Sequence, residues 1–180
     1  MKEYLTEALV LNVRPAKEQD RSVDFYTKDL GRVRARVIGG RKIVSKLSPH
    51  LDVLNLVKVR LINKNRLTVT DVLSYDRFAD LRKNVGIYSH ALELLFLLRS
   101  LVPEGEPDLR LWHYLVSALK HQRLSRRDLF NVLGYNPLFS NCSNCNLKRV
   151  DYFTFSEQSF LCSPCRDKFY FNISDFIYIL

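Results

Sequence analysis

The sequence predicts an α+β protein with an N-terminal five-stranded OB-fold barrel, a helical domain and an inserted four-cysteine zinc finger. Three observations support this. Apolar and polar residues alternate over about the first 75 positions, the apolar period then lengthens to about 3.6, and two CxxC pairs follow near the end. We predict a barrel over residues 1–78, a helical domain over 79–140 and a finger over 141–166. Residues 167–180 are expected to pack back on the helical domain.

Five segments of the N-terminal part have the composition and alternation of strands. Pro15 ends the first, Asp29-Leu30-Gly31 forms a hairpin turn, and Gly39-Gly40 ends the third. One long connection precedes the fourth, which suits a small closed barrel of the OB type, with an SH3-like barrel as the main alternative. The predicted strands are residues 4–13, 22–27, 32–38, 53–62 and 66–73.

Positive charge is concentrated in the barrel. The chain has 28 Lys and Arg against 19 Asp and Glu, a formal charge of +9. Between residues 28 and 66 there are eleven basic residues and only two acids, on what we expect to be the solvent side of adjacent strands and their connecting loop. Such a patch is typical of a groove that follows a phosphate backbone, although a merely solvated basic face is the alternative. The predicted DNA-binding residues are Arg32, Arg34, Arg36, Arg41, Lys42, Lys46, Lys58 and Arg60.

The middle of the chain has the apolar periodicity of helices, over residues 85–102, 108–122 and 125–134. The first is apolar on most sides and is predicted to be a deeply buried helix. The four histidines are scattered and no catalytic motif occurs, so we do not expect an enzyme. A second basic cluster could hold an acidic peptide of a partner, or be an ordinary solvated helix end. It consists of Lys120, Arg123, Arg126 and Arg127.

The cysteines are the most specific chemical signal. They form two CxxC pairs, Cys142 with Cys145 and Cys162 with Cys165, separated by residues 146–161. This spacing is a zinc signature, and four thiolates saturate one Zn²⁺, so the site should be structural. Residues 152–155 and 158–161 read as a hairpin between the two pairs, as in a zinc ribbon.

The sequence has no apolar run long enough to span a bilayer and no signal-peptide pattern. We therefore expect a cytoplasmic protein without a membrane partner, where paired CxxC motifs favour metal over disulfides. A redox site made by the cysteines is the weaker alternative.

Several short segments in a fixed order, together with the four cysteines, resemble the bacterial DNA repair protein RecO family. The segments are residues 6–11 (TEALVL), 29–31 (DLG), 39–42 (GGRK), 45–47 (SKL), 133–137 (LGYNP), 152–153 (YF) and 160–162 (FLC).

The resemblance implies a recombination mediator of the RecF pathway. Such a protein binds single- and double-stranded DNA, anneals complementary strands and helps to load recombinase on DNA coated with single-strand-binding protein (SSB). Its implied partners are RecR and the C-terminal tail of SSB, its implied location is near the nucleoid, and the barrel's basic residues fall where family members bind DNA. The chain is shorter than most members, mainly after the finger, and the natural protein is expected to continue beyond it. The alternative function is an RNA-binding or ribosome-associated OB-fold and zinc-ribbon protein.

Overall fold

The computed structural model describes residues 1–17, 19–42, 45–168 and 175–179. They form two compact units, residues 1–124 and 125–180. The first unit contains β1 (Lys2–Pro15), β2 (Arg21–Thr27), β3 (Gly31–Val37), a 3-10 helix (Ser48–His50), β4 (Leu56–Asn63), β5 (Leu67–Asp76), α1 (Ala79–Lys83), α2 (Val85–Leu101) and α3 (Leu109–Lys120). The second contains α4 (Arg126–Val132), β6 (Tyr152–Thr154), β7 (Ser159–Leu161), α5 (Ser163–Arg166) and β8 (Phe176–Tyr178).

The five N-terminal strands form a closed barrel in the order β1-β2-β3-β5-β4. β1 also pairs with β4, and the barrel closes through a parallel contact between β3 and β5, with Arg36 opposite Thr68. The other pairings are antiparallel. The predicted OB-like five-stranded fold is confirmed.

The alternation in β3 separates the core from the solvent side of the barrel. Val33, Ala35 and Val37 lie in the core, whereas Arg34 is exposed. Successive side chains of a strand point to opposite faces, so the arginines between these small apolar residues are held outside the barrel.

The aromatic pair of β2 is entirely buried. Phe25 lies in the barrel core. Tyr26 stacks on Trp112 of α3, with ring centroids 6.5 Å apart, and its hydroxyl donates to the Asp108 carbonyl at 3.2 Å. Neither ring is available to stack on a base.

The strand order corrects one expectation about the basic patch. Strands β3 and β4 were expected to be adjacent, but β5 lies between them. The chain passes from β3 to β4, but β4 pairs with the opposite edge of β5 and not with β3. The arginines of β3 and the cations of β4 therefore do not form one continuous surface.

Helices α2 and α3 begin at capping side chains. Asn84 accepts a hydrogen bond from the Ile87 N–H at 3.1 Å, and Asp108 accepts one from the Arg110 N–H at 2.8 Å. Helix α2 buries one face but leaves Val85 and Leu92 exposed. The prediction of a deeply buried helix is therefore wrong, because apolar residues on its other face remain exposed to solvent.

The second unit joins a short helix to a three-stranded sheet in the order β7-β6-β8. An aromatic cluster connects them. Phe153 of β6 lies 4.9 Å from Phe130 of α4 and 5.2 Å from Phe160 of β7, measured between ring centroids. The hairpin therefore packs on an apolar base formed by these rings.

The described part of the tail belongs to this sheet. Phe176–Tyr178 pairs with β6, and the Tyr178 carbonyl accepts a hydrogen bond from Arg126 at 3.0 Å. Residues 169–174 and 180 of the predicted 167–180 segment lie outside the described part. By compactness, α1 to α3 group with the barrel and α4 with the finger, and the predicted three-domain limits stay a prediction.

Among the described residues, no helix is both long and apolar enough to cross a membrane.

Candidate nucleic-acid interface and metal centre

A buried acid organises the outer face of β2 and β3. Asp24 is almost fully buried, and its Oδ1 accepts a hydrogen bond from Arg34 Nε at 2.7 Å. Its Oδ2 lies 2.9 Å from Arg14 Nη2 and 4.0 Å from Arg99 Nε. One carboxylate thus holds three guanidinium groups, two of them about half exposed, and the group keeps a net positive charge.

A second acid, Asp20, holds an arginine at the other end of β3 in the same way. Asp20 pairs with the Arg36 guanidinium, and its Oδ1 accepts the Gly39 N–H at 2.8 Å. This backbone hydrogen bond is the main cause of the lowered pKa of Asp20, and Arg36 contributes further. Burial alone would raise the pKa of Asp24, but the hydrogen bond and charge of Arg34 and the charge of Arg14 outweigh it and lower the pKa. Both acids are therefore ionised at neutral pH.

These residues border a pocket of about 390 Å³ on the barrel surface. Five cations and one acid line it. Two of the cations come from β3, two from the β1–β2 connection and its end, and one from the turn before β5. They are Arg34, Arg36, Lys17, Arg21 and Arg66, with Asp20 as the acid. The loops after the first and fourth strands are those with which OB-folds bind oligonucleotides.

A neighbouring pocket of about 310 Å³ extends this region. It is lined by Arg14, Arg21 and Arg41 together with Val13 and Pro15. Arg21 borders both pockets, which makes the two one continuous basic surface, named here the basic groove. Four groove cations are not among the predicted DNA-binding residues, although their positions around the first and fourth barrel loops could have indicated them. They are Arg14, Lys17, Arg21 and Arg66.

The remaining predicted cations of the β3 region have different surroundings. Arg32 is mostly buried, with Nη2 3.8 Å from Glu104 Oε1. Lys42 and Lys46 are exposed in the connection after β3, of which residues 43 and 44 are not described. Arg41 is exposed, and its backbone N–H donates to the Gln19 carbonyl at 2.7 Å.

The cations of β4 lie among acids. Arg60 forms an ion pair with Glu3 and stands opposite Asp71 of β5. Lys58 stands opposite Glu7 of β1. This face carries little excess charge, so β4 differs in character from the basic groove.

The second basic cluster is divided between the units. Lys120 and Arg123 belong to the first and Arg126 and Arg127 to the second. The Arg126 guanidinium donates to the Tyr178 carbonyl, which gives this residue a structural role.

The four cysteines converge in the second unit. The Sγ atoms of Cys142, Cys145, Cys162 and Cys165 all lie within 4.8 Å of one another, and those of Cys145 and Cys162 are 3.6 Å apart. Tetrahedral zinc with Zn–S bonds of about 2.3 Å needs sulfurs about 3.8 Å apart. The four residues therefore fit one closed tetrahedral thiolate site, with no position left for substrate.

Two further side chains support the cysteine cluster. Asn144 Nδ2 donates to Cys165 Sγ at 3.3 Å, which links the first CxxC turn to the second. Asp151 Oδ2 accepts from the Ser163 N–H at 3.1 Å and from the Ser163 hydroxyl at 2.8 Å, fixing the start of α5. The CxxC spacing does not indicate these residues, because they act through contacts that only the folded hairpin creates.

The pKa values of the Cys142 and Cys162 thiols are shifted in opposite directions. Burial alone would raise the pKa of Cys142, but backbone N–H groups of Cys162, Cys145 and Asn144 outweigh it and lower the pKa to about 6. Burial raises the pKa of Cys162 to about 12. An ion that binds all four must displace the protons of the weaker acids.

The geometry thus defines an OB-fold barrel protein with a basic groove and a four-cysteine metal-binding finger. Residues 1–74 match the family model described as "Recombination protein O N terminal". The chain is therefore similar to RecO proteins, through this match and through relatives that align with most of its length.

Three relatives, each named DNA repair protein RecO, illustrate the similarity. The chain is 26% identical to the protein of Thermodesulfovibrio yellowstonii over 95% of its own length and 73% of the relative. It is 29% identical to that of Syntrophobacter fumaroxidans over 81% and 62%, respectively. It is 26% identical to that of Acetivibrio thermocellus over 94% and 74%. The similarity therefore extends through the finger, and the chain spans about two thirds to three quarters of these relatives.

Proposed function

We propose that this chain is a DNA repair protein and recombination mediator that binds DNA through the basic groove of its barrel. The observation that carries the proposal is the pocket in which five cations and one acid surround the loops that OB-folds use for oligonucleotides. The similarity to RecO proteins supports the same proposal, because these relatives are named DNA repair proteins.

The groove suits a phosphate backbone rather than a particular base sequence. Arg34 and Arg36 are held by Asp24 and Asp20, so their guanidinium groups need little further ordering when a phosphate binds. Guanidinium and ammonium groups release counterions from the polyanion, which gives affinity with little sequence preference and a strong dependence on salt.

Of the predicted DNA-binding residues, those nearest the groove are expected to contribute most. Arg34, Arg36 and Arg41 line it, and Lys42 and Lys46 follow in the same connection. Lys58 and Arg60 are expected to contribute less, because Glu7, Glu3 and Asp71 surround them.

The further steps of the proposal follow from the family. The chain binds single- and double-stranded DNA, anneals complementary strands and helps to load recombinase on SSB-coated DNA. Annealing needs no catalytic residue, since neutralising two polyanions reduces their repulsion. RecR and the acidic tail of SSB are the proposed protein partners, with Lys120, Arg123, Arg126 and Arg127 as the proposed contacts of the tail.

The proposed occupant of the cysteine site is one structural Zn²⁺ per chain. Its thiolate bonds would add their free energy to the folding of the finger. The closed site leaves no coordination position for chemistry, which favours a stabilising role.

The test compares DNA affinity across salt concentration for three single variants. Arg66→Ala and Lys17→Ala remove groove cations, and Lys58→Ala is the matched control on β4. We expect wild-type affinity to fall steeply between about 50 and 200 mM salt, and each groove variant to reduce the slope of log K against log salt by about 1. A salt-independent wild type, or a control that loses as much as the groove variants, would contradict the proposal.

Two assays address the finer steps. Competition between single-stranded DNA and RNA of equal length separates the proposal from the RNA-binding alternative. Annealing of complementary strands coated with SSB tests the mediator function, and DNA binding without annealing would reduce the chain to a general nucleic-acid binder.

A further inference from the structure

The most exposed aromatic ring among the described residues lies just before the first CxxC pair. Phe139 is 86% exposed, and its neighbour Leu138 is 63% exposed. Leu147, on the loop of the first CxxC turn, is 49% exposed. These three residues are called the finger tip. Large apolar groups presented together to water are a common mark of a binding surface.

The finger tip is held in place by its own hydrogen bonds. Asn136 accepts from the Leu138 N–H at 3.0 Å through its side chain, and from the Phe139 N–H at 3.2 Å through its carbonyl. The Ser140 hydroxyl also donates to that carbonyl, at 2.7 Å. Phe139 is thus presented on an ordered turn, which lowers the entropy cost of binding a flat partner.

The loop of the first CxxC turn is tied to the same segment. Asn141 Nδ2 donates to Asn146 Oδ1 at 2.9 Å, and the Cys142 N–H donates to the Leu147 carbonyl at 2.8 Å. These bonds make the residues beside Phe139 and those beside Leu147 one surface.

The surroundings of the finger tip favour an anionic partner that also has flat rings. Lys148 and Arg149 follow Leu147 and are exposed, and Arg149 Nε lies 3.4 Å from Asp151 Oδ1. No Asp or Glu occurs between residues 129 and 150, so Lys148 supplies the excess positive charge of this segment. The exposed side chains of Asn141, Asn144 and Asn146 add amide donors and acceptors. Aromatic rings next to cations and amides are the combination that binds single-stranded nucleic acid.

The basic groove lacks a matching platform. Phe25 and Tyr26 are buried, and the described residues that line the two pockets of the basic groove include no aromatic side chain. The groove can therefore bind phosphates but offers no ring on which an unpaired base could stack.

We infer that the finger tip is a second nucleic-acid contact, at which an unpaired base stacks on Phe139 while Lys148 binds the adjacent phosphate. This inference rests on the proposed function and assigns different parts of the DNA to the two surfaces. The groove binds the backbone of either single- or double-stranded DNA, and the finger tip recognises unpaired bases. In a duplex the faces of the bases are stacked on each other and are not available to Phe139.

The experiment measures the affinity of the full chain for an oligothymidylate of about 15 nucleotides and for a duplex of equal length. We expect Phe139→Ala to weaken binding of the single strand about tenfold, since stacking on one aromatic ring has that order of effect, and to leave duplex binding unchanged. Phe139→Trp should restore single-strand affinity, and its added emission should be quenched by the oligonucleotide. Leu73→Ala, which removes a side chain of β5 that is 63% exposed, is the matched control and should change neither affinity.

The outcomes separate this inference from the proposed function. If Phe139→Ala left single-strand binding unchanged, or weakened both substrates equally, base stacking at the finger tip would be excluded while groove binding stood. A wild-type chain that binds neither substrate would overturn the proposed function itself.

Discussion

Asp24 and Arg34 face each other across β2 and β3, with the Arg34 Nε 2.7 Å from the Asp24 Oδ1. The cation proposed to bind phosphate is therefore anchored by an acid that is itself shielded from solvent. Asp24 lowers the net charge of the groove by one but fixes the directions of Arg14 and Arg34. The positions of the cations in the basic groove thus depend on an acid that itself reduces the net positive charge.

Replacing Asp24 with Asn is expected to destabilise the barrel by about 1–2 kcal/mol at pH 7. The loss is smaller than for a fully buried pair because the two guanidinium groups are half exposed. The Asp24 pKa is lowered by folding, so its contribution is present above about pH 3.9 and disappears as pH falls through the folded-state pKa. Denaturant unfolding of both proteins at pH 7 and near pH 3 checks this.

The control for that measurement is Asp80→Asn, which removes an exposed ion pair with Lys83. Its unfolding free energy should hardly change. A wild-type advantage over Asp24→Asn that persisted undiminished below pH 3 would contradict the electrostatic account.

Gly31 is predicted to be irreplaceable at the start of β3. Its φ is +65°, and a Cβ built there would lie 2.2 Å from the Glu106 carbonyl oxygen. Gly31→Ala should cost at least about 2 kcal/mol, since strained φ and an overlap with backbone add together. Thermal unfolding measures the loss.

Gly105→Ala is the matched control for Gly31. Its φ is +83°, but no atom lies within 4 Å of the added Cβ, so only the conformational cost of about 1 kcal/mol remains. Equal losses of stability in the two variants would show that the overlap with Glu106 does not contribute to the destabilisation.

Metal removal is expected to destabilise residues 125–180 selectively. Elemental analysis should find one zinc per chain, and a chelator or Cys145→Ser should lower the melting temperature of that unit by about 10 °C or more. The transition of residues 1–124 should stay in place. The aromatic pairing of Phe130 with Phe153 should leave some residual structure in the metal-free unit, detectable as retained near-ultraviolet circular dichroism. Unchanged unfolding of a metal-free chain would exclude a stabilising site.

Asn144 is expected to tune metal affinity without binding the ion. Loss of its hydrogen bond to the Cys165 sulfur in Asn144→Ala should weaken zinc binding about tenfold, measured by competition with a chromophoric chelator. Asn141→Ala removes an amide of the same size that bonds Asn146 instead, and its zinc affinity should equal that of the wild type.

The sequence predicts elements whose patterns are local. The alternation around Val33 and Ala35 defines β3, and the two CxxC pairs define the cysteine cluster, because each rests on neighbours a few positions apart. Ser125 likewise marks the start of α4, where its side chain accepts the Asp128 N–H at 3.2 Å.

Relationships across the barrel are harder to predict. Nothing near Arg60 reveals that Glu3 pairs with it from the far end of β1, and nothing in β3 reveals that β5 separates it from β4. A count of charges along the chain therefore predicts one basic patch that includes Arg34 and Lys58. The closure of the sheet places these two residues in different surroundings. The roles of Asp24 and Asp151 are not predicted for the same reason, because their hydrogen-bond partners are brought to them by folding.

The parallel contact between Arg36 and Thr68 also governs how the barrel can be made on the ribosome. Strands β1 to β3 are complete by about residue 40, but both edges of that three-stranded sheet stay uncovered until β4 and β5 emerge, near residue 76. At ordinary rates of translation this interval lasts roughly 2–7 s. An uncovered strand edge is a template for pairing with another chain. The nascent polypeptide is therefore most vulnerable to aggregation before its fifth strand has been synthesised, and a fragment that stops short of that strand would retain the vulnerability permanently.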